Sequence, residues 1–157
     1  PSPGNIAGGL TTILEKSLGA VAKGGRAPLR AVLSYAETVR KPGFQFMDTP
    51  GYDPCSATGQ IAGGCTLLAF TTGRGAVFGA KPVPSLKLAS NSALAARQAD
   101  DIDLDCGGVI DGRISIDAMG ERVFERLVAL ASGEESASET LGFGEAEFVP
   151  WQIGAVM

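Results

Sequence analysis

Two short stretches concentrate the side chains able to do chemistry. The first, residues 48–60, supplies Asp48, Thr49, Tyr52, Asp53, Ser56, Thr58 and Gln60, while Pro50, Gly51 and Pro54 stiffen its turns. So many hydrogen-bonding groups on so constrained a backbone are unusual in a plain connection. The second stretch is Thr71, Thr72, Gly73, Arg74 and Gly75. Two hydroxyls, amides opened by glycine and a guanidinium suit a carboxylate or a phosphate. It is not a P-loop, because no Gly-Lys-Ser/Thr follows, and Gly59, Gly63 and Gly64 do not fit the dinucleotide fingerprint. The plainer alternative is a tight turn whose arginine pairs with a surface carboxylate.

Other candidates are single residues or pairs. Asp48 and Asp53 flank a Pro-Gly turn with Tyr52 between them. Carboxylates there can ligate a hard divalent cation or orient a base, or simply cap turns, which is the better reading for Asp53. Lys87 sits between Leu86 and Leu88. A lysine so placed on a strand points to solvent, or, if its face is buried, needs a partner and becomes a candidate for substrate binding or proton transfer. Glu15 and Lys16 fall on the first turns of a helix and are otherwise solvated charges. Asp100, Asp101, Asp103 and Asp105 resemble the start of a calcium loop, but the later loop positions are wrong.

The chain of 157 residues suffices for one domain with a core, and 45% hydrophobic content with 22 glycines fits neither disorder nor a fibre. A net charge of −4 without a basic stripe argues against nucleic acid. No apolar run approaches the ~20 residues of a membrane span, and no signal peptide is evident. Cys55, Cys65 and Cys106 match no zinc spacing, and reduced thiols in a cytoplasmic protein are expected. Histidine is absent, which removes the commonest general base and metal ligand. The start at Pro1, without an initiator methionine, reads as an excised domain.

The elements that position these groups follow from pattern. Residues 1–9 read as a loop. Thr11 or Thr12 caps a helix through Ile13, Leu14, Leu18 and Val21 that Gly24 and Gly25 stop. Pro28 opens a second expected helix, through Ala36. A strand is expected at 44–47, and a short helix from Ser56, as its cap, to Gly63. The apolar run 65–70 reads as a central parallel strand covered on both faces. Another strand is expected at 85–89, then a helix capped by Ser92 over 93–99. A strand or irregular segment follows at 100–105, and the longest helix covers 115–132 with Val123, Phe124, Leu127, Val128 and Ala131 on one stripe.

Strands alternating with helices at short intervals predict a layered, Rossmann-like α/β domain, its mainly parallel central sheet flanked by helices. Ligands of such sheets collect at the carboxyl ends of strands. Asp48 and Thr49, Thr71 to Arg74, and Ser90 and Asn91 all follow expected strands, which predicts one shared site.

The string FMDTPGYDP at 46–54, SATGQ at 56–60 and FTTGRG at 70–75 resemble the altronate/galactarate dehydratase family in its C-terminal region. PSPGN at 1–5, AGGLTT at 7–12, EKSLG at 15–19, KPVPSLK at 81–87 and PWQIG at 150–154 resemble it too, so the likeness spans the chain. The central motif is closer to altronate dehydratases. Cys55 stands where many relatives have valine, and Cys65-Thr66 where some have Ala-Asn. The resemblance implies one domain, 1–157, of a larger cytoplasmic carbon–oxygen lyase that dehydrates a sugar acid to a 2-keto-3-deoxy acid. It also implies a divalent metal, iron being expected, and a separate N-terminal domain of the β-clip type as partner. A homo-oligomer is expected, with no nucleic-acid or membrane partner. Relatives with other leaving groups, such as sulfolactate sulfo-lyases, belong to the same family.

That chemistry sets demands. The enolate formed by removing a proton α to a carboxylate needs a metal or cationic donors, and the departing β-hydroxyl needs an acid. Arg74 with Thr71 and Thr72 is the expected carboxylate clamp, and Thr58, Gln60 and Asn91 are further substrate-binding candidates. Asp48 with Thr49 is placed near the metal or the hydroxyls. Tyr52, Lys87, Glu15 and Lys16 are the candidates for proton transfer. The rival reading is a scaffold or oligomerisation domain whose chemistry lies elsewhere.

Overall fold

The computed structural model describes residues 1–152, so Ile153 and Gly154 of the closing motif lie outside the described residues. Two compact units make up the chain, Pro1–Val32 with Arg40–Phe46, and Leu33–Val39 with everything from Met47 onward.

The first unit opens with a short helix, α1 (Pro3–Ala7), where a loop is expected from sequence. Ser2 caps it through the Asn5 amide, and Pro3 fills a position that needs no N–H. Helix α2 (Ile13–Lys23) is capped as expected by Thr12, with Glu15 closing the box on the Thr12 amide, and Gly24 follows its last turn. No residue of α2 is buried.

The helix expected from Pro28 is a strand instead, β1 (Ala31–Leu33), which pairs with β2 (Gln45–Met47). The Arg30 amide donates to the Phe44 carbonyl at 2.8 Å. A short apolar run carries too little helical preference to outweigh such pairing. Gly43 makes the approach possible: its φ is +107°, and a Cβ there would lie 2.8 Å from Arg30 Cγ.

The second unit holds α3 (Asp53–Ala62), β3 (Leu68–Thr72), β4 (Ser85–Ala89), α4 (Ser92–Arg97), β5 (Leu104–Asp105), α5 (Ile116–Ala131) and α6 (Ala137–Thr140). A 3-10 turn over Gly107–Val109 follows β5. Strands β3, β4 and β5 form a parallel sheet in that order, with Phe70 beside Lys87 and Leu88 beside Leu104. The layered α/β expectation with a parallel sheet therefore holds.

Particular expectations need correction. The central strand is β4, all five residues of which are buried; β3 starts at Leu68, alternates in exposure and lies at the edge. The apolar run 65–70 misled because Leu67 packs against the α5 cluster before the strand begins. Helix α3 starts three residues before Ser56, with Pro54 in its first turn and Tyr52 at its cap position without a side-chain cap. Asn91, not Ser92, caps α4, its Oδ1 accepting from the Leu94 amide at 2.8 Å. Helix α6 is unanticipated, although Ser136 and Glu139 spell the capping box that starts it.

Two cores cover the sheet. Leu86, Leu88 and Leu130 pack with Leu67, Leu104, Val123 and Leu127. Ala57, Leu68, Phe78, Ala80 and Val83 pack with Ile61 and Phe70. Each fully buried leucine contributes about 1.5–3 kcal/mol.

Candidate functional site

Two polar groupings stand out in the second unit. Along α3, Ser56 Oγ lies 2.7 Å from Thr49 Oγ1 and accepts from Gln60 Nε2 at 3.2 Å. Ser56 and Gln60 are one turn apart, so helical geometry stacks them on one face. With Asp53 and Ala57 they line a cavity closed by Leu68, Ala69, Phe70 and Phe78. The α3 polar side chains thus meet the middle of β3, below the 73–75 loop. The cavity measures about 80 Å³. That space holds a few waters at roughly 30 Å³ each, well short of a sugar acid.

The other grouping lies at the carboxyl ends of the strands. Asn91 Nδ2 donates to the Gly73 carbonyl at 3.0 Å, and Arg97 donates to the Arg74 carbonyl at 2.8 Å. The Gly75 amide donates to Thr72 Oγ1 at 3.1 Å. Arg113 donates to Ser92 Oγ at 2.9 Å and to Asp111 at 2.7 Å. Loops following β3, β4 and β5 are therefore tied to one another, while the Thr71 and Arg74 side chains stay exposed.

The remaining candidates are dispersed. Thr58 is buried and its hydroxyl accepts from the Val149 amide at 2.8 Å, which leaves it facing the closing segment. Tyr52 is 63% exposed. Lys87 is fully buried, its Nζ donating to the Ala76 carbonyl at 3.3 Å with Asp101 3.8 Å away. Its backbone is held by Asp103, whose other oxygen accepts from the Ala137 amide at 2.7 Å. In this conformation Lys87 pins the loop that follows Gly75 and touches no solvent. Gln98 Oε1 is buried there without a partner among the described residues, against Gly75, where a Cβ would come within 2.0 Å of it.

Glu15 and Lys16 belong to the first unit. The Thr11 amide, then the Thr11 hydroxyl and the Thr12 amide, hold the exposed Glu15 carboxyl below its usual 4.5. Lys16 Nζ donates to Asn5 Oδ1 at 3.0 Å.

The donors on the described residues do not fit a metal site. Asp48 is exposed, and no three His, Cys, Asp or Glu side chains come together among the described residues. Burial raises the Cys65 thiol, and burial with the Asp105 charge raises Cys106. Both are poor nucleophiles at neutral pH.

Sequence reasoning missed Tyr35. Its hydroxyl donates to the Cys55 carbonyl at 2.9 Å and accepts from the Trp151 amide at 3.1 Å. The ring lies where a Gly59 Cβ would intrude at 2.4 Å and meets Trp151 edge-on at 5.4 Å. An aromatic inside an expected helix gave no sign of this. Arg113 was missed too, and Asp105 was weighed only as part of a calcium-loop start, though the double glycine at 107–108, with one residue between it and β5, was a usable signal.

A parallel sheet whose cationic and hydroxyl-bearing loops are tied together at its carboxyl end defines a layered α/β domain. The sequence matches the family described as D-galactarate/Altronate dehydratase, C-terminal, over residues 1–156. The chain belongs to that family. It is 38% identical to altronate dehydratase of Escherichia coli (strain K12) over 145 residues, 92% of this chain and 29% of the relative. To galactarate dehydratase (L-threo-forming) of the same strain it is 38% identical over 135 residues, 86% and 26% of the two chains. The (2R)-sulfolactate sulfo-lyase subunit beta of Chromohalobacter salexigens is 38% identical over 146 residues, 92% and 38%. The chain thus spans less than two fifths of the length of these relatives. No helix among the described residues is long and apolar enough to cross a membrane.

Proposed function

We propose that this chain is the substrate-site domain of a sugar-acid dehydratase, eliminating water from an aldonate or aldarate. The observation that supports it is the tying of the β3, β4 and β5 loops, which presents Thr71 and Arg74 outward at the ligand-binding end of the sheet. Arg74 with Thr71 holds the substrate carboxylate. A base removes the proton on the adjacent carbon, the β carbon–oxygen bond breaks as an acid protonates the hydroxyl, and water leaves. The resulting enol tautomerises to the 2-keto-3-deoxy acid.

Tyr52, in the same unit as the clamp, is exposed enough to reach a solute without rearrangement, whereas Lys87 acts by fixing the Gly75–Ala76 backbone. A divalent metal, iron by family likeness, draws its ligands from beyond the described residues in this proposal. The 2R-sulfolactate relative favours a second reading, in which the same site expels sulfite. A scaffold role is the third, and the uncovered apolar side of α2 favours it.

The test is turnover of the full-length protein on a panel of aldonates, aldarates and sulfolactate, with metals restored after chelation. Arg74→Ala is expected to lower kcat/KM by at least ~10²-fold, the scale of losing one charge-stabilising donor. Wild-type kinetics from that variant would remove the clamp assignment, and turnover of sulfolactate alone would replace the dehydratase reading.

A further inference from the structure

A polar cleft opens beside β5, lined by Asp105, Gly108, Arg113, Ile114, Met119 and Arg122. Its volume of about 410 Å³ lies in the range that holds small molecules, roughly 300–1,000 Å³. The cavity under α3 does not. The cleft also sits just past the carboxyl end of a parallel strand, where open α/β sheets take their ligands.

Its charge is the second observation. Two guanidiniums and one carboxylate line it, and with Asp111 offsetting Arg113, Arg122 is the cation left to meet an anion there. Arg113 is held in place by Ser92 and Asp111. Arg122, on α5, makes no side-chain hydrogen bond or ion pair among the described residues. Asp105 is turned by the Gly107 amide, which donates to one of its oxygens at 2.8 Å. Gly107 lets the loops after β4 and β5 meet backbone to backbone, since a Cβ there would lie 2.2 Å from the Ser92 amide nitrogen. That contact sets the Ser92 hydroxyl beside Arg113.

We propose that this cleft is a binding site for a small hydroxycarboxylate, with Arg113, steadied by Ser92, and Arg122 on the carboxylate and Asp105 on a hydroxyl. Paired guanidiniums match the planar carboxylate, and the acceptor Asp105 matches a hydroxyl proton while opposing a phosphate dianion. The choice of a hydroxy acid rests on the sugar-acid reading; the anion site rests on the cleft itself.

The experiment titrates the chain with galactarate and with inorganic sulfate while amide shifts are followed by NMR. Galactarate is expected to shift Gly107, Gly108 and Arg113 saturably. Arg122→Gln should weaken it about 10- to 100-fold, the range for one charge-assisted donor, with an unchanged melt because that side chain is exposed. Arg113→Lys should retain part of the affinity, since charge survives but the fork is lost. Sulfate binding as tightly as galactarate would overturn the hydroxy-acid assignment. Shifts confined to Thr71 and Arg74, or none at ten-millimolar-order ligand, would overturn the cleft and leave the dehydratase reading to its turnover assay. Cleft shifts alongside an Arg74→Ala enzyme of full activity would leave the cleft standing and remove the clamp.

Discussion

Helices α2 and α5 share one design and meet different fates. Each has a hydroxyl cap, Thr12 or Ser115, and an apolar stripe opposite charged residues. Helix α5 lays Val123, Leu127 and Leu130 on the sheet, where Leu130 is 2% exposed. Helix α2 leaves Leu18 63% and Val21 74% exposed, and an apolar groove of about 400 Å³ runs along it past Leu29, Phe44 and Phe46. Amphipathic pattern therefore specifies that a helix has a side to cover, and says nothing about what covers it.

Deleting a leucine from each helix tests the contrast most strongly. Leu130→Ala should cost about 2–5 kcal/mol in urea unfolding, the range for a buried leucine left as a cavity. Leu18→Ala should stay within about 0.5 kcal/mol, as exposed positions do. Equal losses would mean that α2 is covered in solution, and a concentration dependence of the Leu18 effect would identify a second copy as the cover.

Glycines sharpen the same comparison at smaller scale. Gly107→Ala should destabilise by roughly 1–3 kcal/mol, because its Cβ meets backbone that cannot give way. Gly19→Ala, in α2 with nothing within 4 Å, should stabilise by about 0.5–1 kcal/mol through helix propensity. Thermal melts of the two variants moving in the same direction would contradict the packing described.

The smallest effect is electrostatic. Glu15 has its folded pKa depressed below 4.5 by the Thr11 amide first and by its further bonds to Thr11 and Thr12. Its contribution is then present above the unfolded value and lost as pH falls through the folded one. Acidification should fray the start of α2, and Glu15→Gln should flatten that dependence in amide exchange at Thr11 and Thr12. An unchanged pH profile in the variant would show that the carboxylate does not hold the cap.

How much was legible depended on whether the signal was local. The cap of α2, the span of α5, the strand at 85–89 and the parallel α/β class were read from nearby residues, because capping and periodicity act over a turn or two. The strand Ala31–Leu33 was not, since its partner lies in β2 and pairing overrode a weak helical run. Lys87 illustrates a finer limit: alternation placed it correctly on a strand, but which face is covered depends on segments distant in sequence. The family likeness carried the function class further than any single residue did. It left unmarked the cleft residues Asp105, Arg113 and Arg122, which a strand, a turn and a helix bring together.

The bonds to the closing segment bear on when the protein can finish folding. Val149 reaches Thr58 across 91 residues, and Trp151 reaches Tyr35 across 116. Closing loops of that length demands entropy that only a nearly complete native framework repays. During synthesis, the Thr58 hydroxyl and the Tyr35 ring must wait without these partners until residues 149–151 have emerged. Helix and sheet can assemble before that point, but this seam is sealed only once it is passed.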